Sequence, residues 1–238
     1  MTGQMYINYL HFKEIDSTHA HAMAHLADCS DVHWTAISAD TQHAGKGQGA
    51  NKWQDVPGKA VLLTVVSPVI QLNAEAVFPR HWAAAVVALE TLQPFTSAPI
   101  RLKWPNDLYL EGKKLGGLLT EGQWSGERCK RVVFSLGVNV LEAPEGFACL
   151  DTVVDLVALR KHLAEAVVGA WTEEDGQSQD AYLSHWLHEG LEEWQDEAGS
   201  FRAKAMDVDA FGRIGLQREG QEDVQWYLHG QVKWLGKG

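Results

Sequence analysis

No stretch of the 238-residue chain strings together the roughly 18 apolar residues that a membrane-spanning helix needs. A membrane partner is therefore not expected. Basic residues are in the minority: 20 Lys and Arg stand against 31 Asp and Glu, a formal charge of −11. Nucleic-acid surfaces normally carry a basic stripe, so no DNA partner is expected either. A local basic pocket for a small anion remains compatible with an acidic protein. Cysteine is scarce. Cys29, Cys129 and Cys149 are far apart and odd in number, which suggests neither a disulfide framework nor a zinc pair. A reducing cytoplasm is then the default location. The first residues lack a basic flank leading into an apolar core, so no secretory signal is expected. What the chain does have is core-building material. With 45% apolar and 9% aromatic residues, it can pack one sizeable domain and a small appendage.

The densest information lies between Lys103 and Glu121. An apolar strand over 99–104 is halted by Pro105, which cannot donate to a ladder. Asn106 and Asp107 sit at the break with their polar groups free. A second strand, 108–110, turns at Glu111-Gly112, and a third resumes at Leu115. Lys113 and Lys114 precede that third strand, and Gly116-Gly117 lies inside it. Glycine within a strand marks a bulge or a group approaching the backbone closely. The spacing alone admits two readings: a lysine aimed at an anionic ligand, or a plain charged hairpin with a bend.

Upstream, residues 4–15 alternate as a half-buried strand does. Asp16-Ser17-Thr18 then forms an N-cap cluster for a helix over 20–26. His21 and His25 lie one helical turn apart, but no acidic or cysteine partner completes a metal motif. A strand over 32–39 leads into the polar loop Asp40–Trp53, whose spaced glycines let a ligand approach the backbone. The same composition also suits a mobile surface loop, and the loop lacks the Gly-Lys-Ser/Thr ending of a phosphate-binding Walker motif. Residues 60–66 read as a central strand, 74–92 as a helix backing the sheet, and 131–140 as a further strand. Within that last strand Asn139 needs partners for its amide. Helical periodicity is expected over 153–171 and again over 181–194, separated by a polar stretch at 172–180. Short strands follow at 201–206, 213–217 and 227–235.

Lys103-Trp104-Pro105-Asn106-Asp107, continued by Lys114, Leu115, Gly117, Leu119 and Glu121, closely resembles the signature of biotin protein ligases. The loop resembles the same family at Gln42, Ala44, Gly45, Gly47 and Trp53. It departs where the family shows Arg, Arg and Gly, because Lys46, Gly49 and Ala50 stand there. Lysine offers a point charge where arginine offers a planar fork. Ser17 and Thr18 match the start of the family's Ser-Thr-Asn, with His19 in third place. The resemblance implies an α+β fold: a mixed β-sheet with packed helices over 1–195, and a small SH3-like β-barrel over 196–238. The family's N-terminal helix-turn-helix domain is expected to be absent, since Met1 lies only sixteen residues before Ser17.

Further implications of the resemblance concern the chemistry. The expected activity is that of an ATP-dependent ligase that forms biotinyl-5′-AMP and transfers biotin to a lysine of a biotin carboxyl carrier protein domain. ATP is the co-substrate and Mg²⁺ the companion ion. Lys114 and Lys46 are the expected catalytic cations. Ser17, Thr18, His19, Gln42, Gly47, Gln48 and Gly117 are expected at the biotin end. Trp53, Lys103, Asn106, Asp107 and Asn139 are expected around the nucleotide, with Asp107 suited to magnesium. The alternatives are a lipoate or octanoate ligase or transferase, and a biotinyl-adenylate binder with weakened catalysis. A homodimer is compatible with the sequence. Because every ligand-type motif precedes residue 140, the C-terminal strands are expected to contribute little to ligand binding.

Overall fold

The computed structural model describes residues 6–172 and 179–236. The first strand, β1 (Ile7–Ile15), pairs in parallel with β2 (Trp34–Gln42), and α1 (Thr18–Ala24) crosses between them. Next come β3 (Ala60–Val66), α2 (Val77–Leu92), β4 (Ile100–Lys103), β5 (Asp107–Leu110), β6 (Lys113–Ser125) and β7 (Arg128–Asn139). Together the strands form a seven-stranded sheet in the order β1-β2-β3-β7-β6-β5-β4, antiparallel beyond its first pair. As expected of a near-continuous apolar run, β3 is buried along its whole length and lies inside the sheet.

Strand alternation decides what each face does. Val61, Leu63 and Val65 of β3, with Phe134, Leu136 and Val138 of β7, enter the main core beneath α2 and α3 (Leu156–Thr172). The other face carries Leu62, Thr64 and Val66, then Ser135, Gly137 and Asn139. Near α1 it closes over a small second core of Ala22, Leu26, Ile37, Val66 and Val133. Elsewhere it borders a cavity. Among the described residues no helix is long and apolar enough to cross a membrane.

The C-terminal region is a second, five-stranded antiparallel sheet in the order β11-β10-β9-β8-β12, in keeping with an SH3-like appendage. Its members are β8 (Leu191–Asp196), β9 (Gly199–Val208), β10 (Ile214–Arg218), β11 (Val224–Tyr227) and β12 (Lys233–Gly236). Two sequence expectations need correction here. Only α4 (Gln179–Ser184) is helical in the stretch 181–194, and β8 occupies its end. Leu183, Trp186, Leu187, Leu191 and Trp194 satisfy a helical period, but Glu192 and Trp194 point inward two residues apart, and pairing with β9 and β12 wins. Likewise, 227–235 is not one strand. A turn with Gly230 at φ +89° splits it into β11 and β12. Positions 4–5 of the first expected strand, and 173–178 of the expected polar linker, lie outside the described residues.

Both sheets share one core. Trp82 and Trp104 of the larger unit and Trp194, Val208, Ile214 and Leu216 of the smaller belong to a single packed cluster. The second sheet begins at Leu191, so it straddles the boundary expected at residue 196.

Candidate active site

The hairpin that follows Pro105 sets up the charged part of the site. Pairing places Lys103 opposite Asp107, and Asp107 opposite Gly117, with a bulge after Leu108. Asp107 therefore meets two lysines. Its Oδ1 is 2.6 Å from Lys114 Nζ, and its Oδ2 is 3.7 Å from Lys103 Nζ. A Cβ on Gly117 would lie 3.4 Å from Asp107 Oδ1 and from Lys114 Cε and Nζ, so the glycine leaves room for the lysine to lie along the strand. Burial holds the Lys103 ammonium below its usual range, with neighbouring Lys114 adding to the effect and Asp107 opposing it. The Asn106 side-chain N–H donates to the Leu118 carbonyl, which fixes the break between β4 and β5.

Residues far away in sequence hold this turn from outside. The Pro105 carbonyl accepts from His81 Nε2 of α2 and from the Tyr182 hydroxyl of α4, each at 3.2 Å. The Trp104 indole donates to the Gly212 carbonyl of the second sheet at 3.0 Å. The Trp104 backbone N–H donates to His188 Nε2 at 3.3 Å, so the imidazole proton sits on Nδ1 and is given to Glu192 Oε2 at 3.0 Å. Burial drives the pKa of His188 down, against the pull of Glu192.

A pH prediction arises from His81, whose pKa burial lowers to about 4 from 6.5. A histidine that resists protonation when folded gives stability that is intact above pH 6.5 and lost as pH falls toward 4. The full span is about 3 kcal/mol. Thermal melts from pH 7 to 4.5 should show a steep loss that His81→Gln makes shallower; an unchanged slope in the variant counts against His81.

The polar loop is compact. Lys46 and Lys52 face each other across a β-bridge, Gly47 N–H donates to the Asn51 carbonyl at 2.9 Å, and Trp53 N–H donates to Gly45 at 3.0 Å. Gly49 takes a positive φ of +64°, whereas Ala50 does not, so the left-handed residue is the glycine that stands at an arginine position of the resemblance. The Trp53 indole covers Gly137. A Cβ there would meet the ring at 2.7 Å, and only glycine permits this approach.

An uncharged set of side chains lies over β2, β3 and β7. Gln42 Oε1 accepts from the Thr18 backbone N–H at 2.7 Å and from the Thr18 hydroxyl at 3.1 Å. Thr64 donates to Thr18 at 3.0 Å and meets Ser135 at 2.8 Å. Buried His19 presents Nδ1 to Ser135 Oγ at 2.8 Å and Nε2 to Glu121 Oε2 at 3.2 Å, an ion-pair distance rather than a well-aimed hydrogen bond. Desolvation lowers the pKa of His19, assisted by Lys46 and opposed by Glu121.

These groups border one cavity of about 480 Å³. Of the residues expected from sequence, Thr18, His19, Gln42, Lys46, Gly47 and Gln48 line it. So do Trp53, Lys103, Asn106, Asp107, Lys114 and Gly117. Ser17 does not; its hydroxyl accepts from Ala20 N–H and caps α1. Asn139 lies behind the wall, fully buried, with both amide atoms unpartnered, on the same face of β7 as Ser135 and Gly137. Asp107 alone, already shared by two lysines, does not make a dedicated metal site. The described residues hold no group of three His, Cys, Asp or Glu that could bind an ion. His21 and His25 stack on each other at 4.3 Å.

Sequence reasoning missed Ser135 and Thr64, although each is a lone hydroxyl in an apolar strand and was open to notice. It also missed the second sheet's share. Trp194, His229, Lys233 and Trp234 line the cavity, with Lys103 Nζ 5.6 Å from the Trp234 ring centre. The expectation that the C-terminal strands contribute little is corrected accordingly. No local motif announced them.

Residues 15–139 match the Biotin/lipoate A/B protein ligase family. The chain is 31% identical over 132 residues to a biotin–[acetyl-CoA-carboxylase] ligase of Mycobacterium tuberculosis, an alignment covering 54% of this chain and 48% of the relative. It is 31% identical over 123 residues to the bifunctional ligase/repressor BirA of Bacillus subtilis, covering 51% and 37% respectively. The chain thus spans less than half the length of these curated relatives. In fold it is similar to a biotin protein ligase from Aquifex aeolicus solved with biotin and ATP. That match has a TM-score of 0.73 and 21% identity, over 97% of this chain and 99% of the other.

Proposed function

The chain belongs to the biotin/lipoate A/B protein ligase family, and from that premise we propose that it is an ATP-dependent biotin protein ligase. One observation carries the reading. A single cavity joins a cluster of lysines over β5 and β6 to an uncharged hydroxyl and amide set over β2, β3 and β7. That division suits a ligand with a polar, uncharged ring at one end and a carboxylate that reacts beside phosphates at the other.

In the first step a carboxylate oxygen of biotin attacks the α-phosphorus of ATP. The new bond is the acyl–phosphate bond of biotinyl-5′-AMP, and the bond to pyrophosphate breaks. Two anions must meet, so the barrier is dominated by charge. Lys114 stands at the junction, held by Asp107. Lys46 and Lys103, which also line the cavity, oppose the phosphate charge. Trp53 covers the base; Asn139, expected beside the nucleotide, lies buried behind the cavity wall and does not line it. Magnesium would arrive with the nucleotide, since the cavity does not build a site for it alone. In the second step the neutral amine of an acceptor lysine, on a carrier protein domain, attacks the acyl carbon and AMP departs. Activation is already stored in the anhydride, so positioning suffices. The free cysteines Cys29, Cys129 and Cys149 suit a cytoplasmic setting.

Pyrophosphate release measured with biotin, octanoate and lipoate in turn tests the reading. Release with biotin alone supports it, and release only with lipoate or octanoate sinks it. The loop gives a second expectation. Lys46→Arg adds a charged hydrogen bond worth about 1.5–3 kcal/mol, so biotinyl-5′-AMP should leave about one to two decades more slowly. Gly49→Arg should not add to this, because a side chain at φ +64° is strained by about 1–2 kcal/mol. Timed release from the single and double variants decides the point; a further slowing in the double variant contradicts it.

A further inference from the structure

The uncharged set of side chains has a direction. The Thr18 backbone N–H can only donate, so the atom of Gln42 facing it at 2.7 Å is the amide oxygen. That oxygen can only accept, so the Thr18 hydroxyl, 3.1 Å away, spends its one proton there. Thr64, 3.0 Å from Thr18 Oγ1, must then donate to it. With the Thr64 proton committed, Ser135 at 2.8 Å donates to Thr64. Ser135 has no second proton, so His19 Nδ1 at 2.8 Å carries a hydrogen and donates to Ser135. Every step follows from the donor and acceptor inventory of the groups. The protons run one way, from His19 through Ser135, Thr64 and Thr18 to Gln42.

We propose that His19 is a positioning residue that locks this relay, so that the cavity presents hydroxyl acceptors and an amide donor and selects a ring carrying N–H groups. The inference rests on the reading of this pocket as a biotin site and names what distinguishes biotin from its competitor there. Within the relay, the hydroxyl oxygens of Thr18 and Ser135 each keep one free lone pair at the cavity wall. Gln42 keeps its Nε2 hydrogens. Two acceptors and one donor match a cyclic urea, which has two N–H groups and one carbonyl. A dithiolane ring has neither and would leave the wall's polar atoms unpaired, an outcome that discriminates strongly in a buried site. Without the His19 donor, the Ser135 hydroxyl has nothing to stop it turning and offering its proton to the ligand. Glu121 Oε2 lies 3.2 Å from Nε2 on the far side of the imidazole, so a ring that donates from Nδ1 is held in register by it when Nε2 also carries a hydrogen and pairs with the carboxylate. His19 and Ser135 are thus read together, although 116 positions separate them.

The test uses two variants of nearly equal shape and opposite hydrogen-bond character. His19→Asn keeps an N–H that can donate to Ser135; His19→Asp offers an oxygen there. Biotin and lipoate are each titrated calorimetrically into the full chain, and the KM for ATP is read from pyrophosphate release. Biotin should bind H19D at least tenfold more weakly than H19N, while the KM for ATP differs by less than threefold between them. A smaller gap for biotin, or an equal loss for ATP, overturns the relay. Thr64→Val, a substitution that breaks the relay behind the wall without changing shape, should weaken biotin at least tenfold on its own. It decides the matter if H19D does not fold, and unchanged biotin binding in T64V is fatal to the proposal. Wild-type binding of lipoate in preference to biotin would instead overturn the biotin reading itself, and the relay's selectivity with it.

Discussion

Lys114→Ala is expected to reduce pyrophosphate release by about 10²–10³-fold, the loss seen when a preorganised group facing transition-state charge is removed. Lys114 is the second residue of β6, and its side chain is about one-third exposed and makes its contact with Asp107 rather than with the core. Folding should survive, with a melting temperature close to wild type. Lys114→Arg is expected to fail as well. The lysine lies along the bare backbone of Gly117, with Cε and Nζ 3.4 Å from the place a Cβ would take. A planar guanidinium does not follow the same path. Release within tenfold of wild type in the alanine variant would show that Lys114 is not the decisive cation. Asp107→Asn separates the two roles of the pair. It leaves the lysine charge in place but loosens its aim, and should lower kcat less than Lys114→Ala does.

The second large effect concerns the C-terminal sheet. Ending the chain at Gly199 removes β9 through β12 and with them Val208, Ile214, Leu216 and Val232, all buried in the shared core. At about 1.5–3 kcal/mol for each such side chain, the loss is of the order of a domain's whole stability, about 5–15 kcal/mol. The cut also strips the cover from Trp194 and takes away the Gly212 carbonyl that receives the Trp104 indole proton. The truncated chain is expected to be insoluble or to lack a cooperative melt. A soluble, cooperatively melting truncation that binds biotin like the full chain contradicts this. A gentler probe is Trp234→Ala, which removes one wall of the cavity beside Lys103 and should raise the KM for ATP more than that for biotin.

Local chemistry makes much of this protein legible in its sequence. β3 reads as a central strand, because seven consecutive positions from Ala60 to Val66 carry no charge and are mostly apolar and β-branched or leucine, and the run is too short for a buried helix. The break at Pro105, the turn at Gly112 and the Ser17 cap are backbone statements that proline, glycine and a short hydroxyl make wherever they occur. Lys103, Asp107 and Lys114 fall within twelve residues of one another, so a hairpin suffices to bring them together. What the sequence could not display is pairing across distance. Leu191–Asp196 fits a helix as well as a strand until β9 and β12 arrive on either side of it. His188 means little until it is seen accepting the Trp104 proton, and His19 little until Ser135 stands 2.8 Å away. The reason is that a side chain's type states what it can donate or accept, while its partner, and therefore its proton and its role, is chosen by the packing of segments a hundred residues apart.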